Sequence, residues 1–175
     1  MDCPPDAEQV EQRLNKSGVK GNLIFPKFPE MYQLCANPYV ETNDWDWEID
    51  PYAMRYSFRY LWNLYHLPMM VAENGYGGYD ILTEDERIHD TYRIDFLRDQ
   101  IYQLGMAIED GCQVIGYNLW SFTDLLSTGN GLSKRYGLVY VNTSDNDVLD
   151  LRRIKKDSFY WYSRLIRSNG QEWGE

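Results

Sequence analysis

Glu73 ends the apolar run MMVAE (69–73) and is followed at once by Asn74 and Gly75. A carboxylate carried to the rim of a low-dielectric wall can act as nucleophile or as acid/base, with a pKa set by its neighbours. The same placement also suits a strand-terminal acid that points at water. Trp120 closes a second apolar run, QVIGYNLW (113–120), in the same manner. A tryptophan there either forms a flat platform on which a sugar ring stacks or belongs to the core. A third segment, LLSTGNGLSKRYG (125–137), sets Ser127, Lys134 and Tyr136 around Gly129 and Gly131. One ammonium with two hydroxyl donors suits a phosphate monoester, charge coming from the lysine and direction from the hydroxyls. A nucleotide-binding P-loop is excluded because its GxxxxGK[ST] order is missing. A solvated turn fits this segment equally well. The basic stretch RRIKK (152–156) reads as a solvated face and carries no functional expectation.

These groups need rigid carriers. Met54, Phe58, Leu61, Trp62 and Tyr65 fall at three- and four-residue spacing, which predicts an amphipathic helix over 51–66. Asp50 is its candidate N-cap, Pro51 suits the first turn and Pro68 stops it. MMVAE then reads as a short buried strand running into a glycine-containing loop, 74–89. Asp90 is the candidate cap of a second helix that places Ile94, Leu97, Ile101, Leu104 and Ile108 on one face and closes at Gly111. Residues 113–120 form the second buried strand, 121–135 a long loop, and 136–142 an alternating, half-buried strand. A last helix over 155–168 is expected to turn Phe159, Tyr162 and Ile166 inward. Residues 1–36, with Pro4, Pro5, Pro26, Pro29, Gly18 and Gly21, read as an irregular N-terminal segment with one short helix near Ala7–Leu14. Short, continuously apolar strands alternating with helices indicate parallel β structure covered on both faces. In such α/β folds, chemistry gathers in the loops at the carboxyl ends of the strands.

Composition narrows the function. A chain that is 43% hydrophobic and 15% aromatic is no disordered tail. A net charge of −10 lacks the basic face that nucleic acid or an anionic membrane surface requires. No apolar run reaches the length that spans a bilayer. Three scattered cysteines (Cys3, Cys35, Cys112) fit neither a disulfide framework nor a zinc site, and two histidines leave little for a His-centred metal site. No metal and no cofactor is expected. The polar, acidic start MDCPPDAEQ is unlike a secretory signal, so the expected location is cytoplasmic.

VAENGYG (71–77) resembles the I/V-x-E-N-G segment of glycoside hydrolase family 1. GYNLWSFTDLLS (116–127) and SKRYGLVYVN (133–142) follow in order and resemble that family's eighth-strand tryptophan segment and the signature after it. NPYVETNDWDWEIDPYAMRYSFRYLWNLYHLP (37–68) resembles its lead into the seventh strand. The resemblance spans roughly residues 37–170 and implies the C-terminal third of a (β/α)8 barrel: the last two β/α units plus a hairpin over 37–175. It implies that Glu73 is the nucleophile of a retaining hydrolysis and that Trp120 contacts the sugar. Where ordinary β-glucosidases of the family carry Glu and Trp against the sugar's outer hydroxyls, this chain has Ser127 and Thr128. A carboxylate there would repel a phosphate, whereas a hydroxyl donates to it. Lys134 and Tyr136 match the remaining phosphate contacts. The resemblance is therefore to the 6-phospho-β-glucosidases, and Thr128 leans toward glucosides over galactosides. The implied substrate is a phosphorylated disaccharide or aryl glucoside.

Retention needs a second carboxyl, which the family carries in an N-E-P segment that this sequence lacks. A closed barrel needs eight strands and roughly 250 residues, and two strands are recognisable here. The expectation is a segment inactive alone that pairs with itself or with an N-terminal barrel segment to cover its strand edges. Two other readings stay open at this point: a segment of a β-glucosidase for unphosphorylated sugars, and a non-catalytic sugar-phosphate-binding or interaction module.

Overall fold

The computed structural model describes residues 27–28, 32–33, 37 and 39–174. The helix expected near Ala7–Leu14 and most of the irregular N-terminal segment lie outside the described residues. The chain divides into two compact units, Met1–Asp50 and Pro51–Glu175. In the first, β1 (Lys27–Phe28) and β2 (Tyr32–Gln33) pair antiparallel. Its aromatic loop closes on itself, as Asn43 Oδ1 accepts from the backbone N–H groups of Trp45 (2.9 Å) and Trp47 (3.0 Å).

The second unit runs α1 (Tyr52–Tyr65), β3 (Met69–Asn74), α2 (Thr91–Glu109), β4 (Val114–Leu119), β5 (Val139–Val141), β6 (Arg153–Lys155) and α3 (Asp157–Arg167). β3 and β4 are parallel, with Val71 opposite Tyr117 and Asn74 opposite Leu119. Parallel neighbours require a long crossover, and α2 supplies it. Helices α1 and α2 cover one face of the pair through Phe58, Val71, Leu104, Ala107 and Cys112. A second cluster, Leu97, Leu138, Trp161 and Leu165, packs α2 against α3, and Tyr117 borders both. The described residues do not close a barrel.

Several local expectations are corrected. The N-cap position of α1 falls on Pro51 rather than Asp50, because the proline ring already holds φ at −67°, a helical value. Asp90 stands at the N-cap position of α2 but caps nothing with its side chain. Its carboxylate accepts instead from Ser158 N (2.9 Å), Ser158 Oγ and Arg93. The two parallel strands are not buried on both faces: Met70 is 53% and Ile115 70% exposed. Strand β5 is buried along its whole length instead of alternating, because its Tyr140 ring lies 4.7 Å from the Arg135 guanidinium and Val139 pairs with Thr123. Helix α3 turns Ser158, Trp161 and Leu165 inward, and Ile166 is exposed.

The largest correction concerns RRIKK. Arg152, Arg153 and Lys155 are exposed, as expected of a solvated face, but the stretch also carries strand β6, on which Ile154 turns in. Lys156 falls on the inner side of that alternation and is fully buried. It ends in an alternating chain of buried charges. Asp90 pairs with Arg93, Arg93 with Asp80 (3.4 Å), Asp80 with Lys156, Lys156 with Asp124 (2.8 Å) and Asp124 with Arg135 (3.5 Å). Burial works to raise the pKa of Asp80, but the charges of Arg93 and Lys156 prevail and hold it below the usual carboxylate range. Burial and the like charge of Arg93 push the Lys156 ammonium below its ordinary value, against the pull of Asp80 and Asp124.

Asp124→Ala would leave both Lys156 and Arg135 buried without their shared carboxylate, a loss of about 3–5 kcal/mol. Asp110→Ala removes only the exposed partner of Arg55 and Arg59 and should leave the unfolding midpoint nearly unchanged. Urea unfolding followed by tryptophan fluorescence measures both. Equal losses in the two variants would show that the buried chain is not what stabilises the unit.

Candidate functional site

The carboxyl ends of β3 and β4 are fastened to each other. Trp120 N donates to Asn74 O (2.9 Å), Tyr117 OH donates to Asn74 Oδ1 (2.7 Å) and Asn118 Nδ2 donates to Val71 O (3.2 Å). Gly75 lies so close that a Cβ on it would overlap the carbonyl of Trp120. Glycine is therefore the residue that lets the turn after Glu73 reach the end of β4. Glu73 and Trp120 consequently share one rim. Glu73 is exposed, its carboxylate in no hydrogen bond or ion pair among the described residues. Trp120 is 39% exposed and belongs to neither core cluster.

The loop after Glu73 continues into a two-bond bridge with the 125–137 loop. Gly78 N donates to Arg135 O and Arg135 N to Gly78 O, both at 2.9 Å. Arg135 turns away from the rim, its guanidinium donating to Val141 O (3.0 Å) and Thr143 O and pairing with Asp124. Its neighbours Lys134 and Tyr136 come together on the other side. The Lys134 ammonium lies 5.4 Å from the centre of the Tyr136 ring, and Ser127 Oγ is 3.2 Å from Tyr136 OH. All three are buried. Ser127 and Gly131 exchange backbone hydrogen bonds (2.9 and 3.2 Å), which closes the loop. Gly131 takes φ +68°, and Asp145 holds Leu132 N and Ser133 Oγ beyond it. Thr128 is exposed next to Ser127 and takes no part in these hydrogen bonds.

Burial alone pushes the Lys134 ammonium down to about 8. An ammonium beside two hydroxyls in a desolvated niche is suited to a compact anion rich in oxygen acceptors. Sequence reasoning missed Asp124, Arg135 and Lys156. The alternation Arg153–Ile154–Lys155–Lys156 was the signal for the last of them. For Asp124 and Arg135 the signal lay only in their proximity to Ser127 and Lys134. Among the described residues, no cluster of three His, Cys, Asp or Glu side chains could hold a metal ion. Among them also, no helix is long and apolar enough to cross a membrane.

Residues 6–171 match the model of glycosyl hydrolase family 1, a match that starts well ahead of the motifs at 37 and beyond. The chain is 45% identical over 161 residues to the aryl-phospho-β-D-glucosidase BglC of Bacillus subtilis, covering 92% of this chain and 34% of that protein. It is 40% identical over 162 residues to a 6-phospho-β-glucosidase of Dickeya chrysanthemi, covering 92% and 33%. Among solved structures, the family 1 β-glucosidase of Thermotoga maritima superposes with a TM-score of 0.73 at 35% identity, over 80% of this chain and 31% of that one. The chain thus spans about a third of the length of these relatives and resembles their C-terminal part.

Lys134 releases its proton near pH 8 in the fold and near 10.5 when unfolded. Between those values the unfolded chain binds the extra proton, so stability rises with pH. Lys134→Met should therefore melt higher than the parent chain at pH 7, by about 2–4 °C for each kcal/mol of relieved desolvation. That advantage should shrink as pH rises from 8 to 10.5. Scanning calorimetry across that range checks both statements.

Proposed function

Because the chain belongs to glycosyl hydrolase family 1, we propose that it supplies the nucleophile and the phosphate-recognising loop of a retaining hydrolase of 6-phospho-β-glucosides. The observation that carries this reading is the buried Lys134 beside Tyr136 and Ser127. In this reading the substrate is a phosphorylated disaccharide or aryl 6-phosphoglucoside. Its phosphate takes charge from Lys134 and hydrogen bonds from Ser127 and Tyr136, its ring lies against Trp120, and Thr128 faces its outer hydroxyls. The names of the Bacillus and Dickeya relatives agree with a phosphorylated sugar.

Glu73 attacks the anomeric carbon as the leaving group departs, and water then hydrolyses the glycosyl–enzyme ester. A second carboxyl, about 5 Å from the first in retaining enzymes, protonates the leaving group and afterwards activates the water. The sequence contains no N-E-P segment to carry it. The acid comes from a partner segment that also supplies the other barrel strands, β3 and β4 being the last two. Exposed Met70 and Ile115 on the strands support such a partner. So does an apolar groove of about 380 Å³ between β4 and α3, lined by Tyr117, Leu119, Leu138, Phe159 and Tyr162. By itself the chain lacks the factor of about 10²–10⁴ that a positioned proton donor contributes.

The test is co-expression of this chain with the N-terminal two-thirds of the Bacillus relative, and assay of the purified complex on p-nitrophenyl β-D-glucoside with and without a 6-phosphate. The phosphorylated substrate should be hydrolysed far faster. Glu73→Gln should lower kcat at least about 10³-fold. Lys134→Met should raise KM about 10–100-fold on the phosphorylated substrate alone. Equal turnover of the plain glucoside would favour a β-glucosidase for unphosphorylated sugars. An assembled complex without hydrolysis would favour a non-catalytic binding module.

A further inference from the structure

Gly77 has no conformational reason to be glycine. Its φ lies outside the left-handed region that excludes side chains, unlike Gly111, Gly131, Gly170 and Gly174. Space decides instead. The three heavy atoms nearest to a Cβ built on Gly77 all belong to Lys134 and Tyr136: the Cβ would overlap Lys134 Cε and lie 3.0 Å from its Cγ and 3.1 Å from Tyr136 Cε1. The lysine stem therefore crosses the bare α-carbon of Gly77 on its way to the Tyr136 ring. The backbone beneath is held on both sides, by Trp120 N donating to Asn74 O and by the double bridge between Gly78 and Arg135. With the backbone held, a methyl group at 77 displaces the Lys134 side chain most and asks the Tyr136 ring to give by a few tenths of an ångström.

We infer that Gly77, on the loop that follows Glu73, is a specificity-determining position that seats the Lys134 ammonium for a phosphorylated sugar. It is a positioning residue, since it acts through Lys134 and touches no substrate atom itself. The inference rests on the reading of Ser127, Lys134 and Tyr136 as the phosphate site. A methyl at 77 meets side chains, chiefly the flexible Lys134, rather than backbone, so the cost to the fold is small while the ammonium leaves its place. The same segment that presents the nucleophile thus sets the charge that selects the substrate.

The experiment is Gly77→Ala in the full chain, read in two ways by NMR. The first reading needs no ligand: the titration of Lys134, followed at its Cε, should move up from about 8 as the methyl pushes the ammonium toward water. The second is titration with glucose 6-phosphate and with glucose. Gly77→Ala should weaken glucose 6-phosphate about tenfold or more and glucose less than about twofold. In a Lys134→Ala background, adding Gly77→Ala should change neither affinity and cost less stability than Gly77→Ala alone, because the Lys134 atoms it strikes are gone and only the 3.1 Å contact with Tyr136 Cε1 remains. An unmoved Lys134 titration, or an unchanged preference for glucose 6-phosphate, overturns the inference while leaving the phosphate reading intact. So does a loss of stability in the double variant as large as in Gly77→Ala alone, which would place the clash elsewhere. A parent chain that does not distinguish glucose 6-phosphate from glucose overturns the phosphate reading instead.

Discussion

The alternating chain of buried charges from Asp90 to Arg135 is the constraint on which the second unit depends. It joins the start of α2 (Asp90, Arg93), the loop after β3 (Asp80), the loop after β4 (Asp124), the signature loop (Arg135) and the junction of β6 with α3 (Lys156). Three carboxylates and three cations alternate, so each buried ion has an opposite charge next to it and the cluster is neutral as a whole. Buried ions cost several kcal/mol each to desolvate, and attraction repays that only when geometry is good and the remaining lone pairs and protons are used. Here they are. Asp124 also accepts from Gly137 N (2.9 Å) and Val141 N (3.3 Å), and Arg135 also donates to two carbonyls. An apolar filling of the same volume would hold these loops together without fixing their direction. Directional bonds fix it.

The two buried lysines show how one residue type acquires two roles. Lys156 sits between Asp80 and Asp124, and its charge is used within the fold. Lys134 lies against an aromatic face near Ser127, and its shift comes from burial alone. In the proposed function, an arriving phosphate faces this desolvated cation. Arg135 connects the two environments. Its backbone belongs to the rim and its side chain to the ionic chain, so the alternation of a strand-like segment puts Lys134 and Tyr136 on one side and Arg135 on the other.

How much of this was legible in the residues follows from range. Glu73 and Trp120 stood out because each ends a continuous apolar run, and the structure sets them on one rim. The helix over 51–66 and the parallel pair were legible for the same reason, since period and turn chemistry are local. Asp90 was legible as a cap by type, but its carboxylate serves Ser158 and Arg93, contacts that no local pattern contains. Lys156 hid inside a basic run whose two-residue alternation was the only trace of a strand. Hydrophobicity alone turns Ile166 inward, but the inner stripe of α3 is set by Ser158, Trp161 and Leu165, of which the first is held by Asp90. Gly77 was one glycine among several in a polar loop. Its reason is steric and lies in Lys134, far along the chain.

The site and the sheet differ in what they require from outside. At the rim, the backbone bridges, the ionic chain and the Gly75 and Gly77 contacts described above all lie within Pro51–Glu175. At the strands the situation is the reverse. Each of β3 and β4 has one hydrogen-bonded neighbour among the described residues, and Met70 and Ile115 face water. In the proposed function, a segment that adds strands covers that apolar surface and brings a second carboxyl toward Glu73, while Lys134, Ser127 and Tyr136 come from this unit. Recognition and proton transfer are then separable. In the proposed function the first rests on Lys134, Ser127 and Tyr136, and the second on whatever completes the sheet.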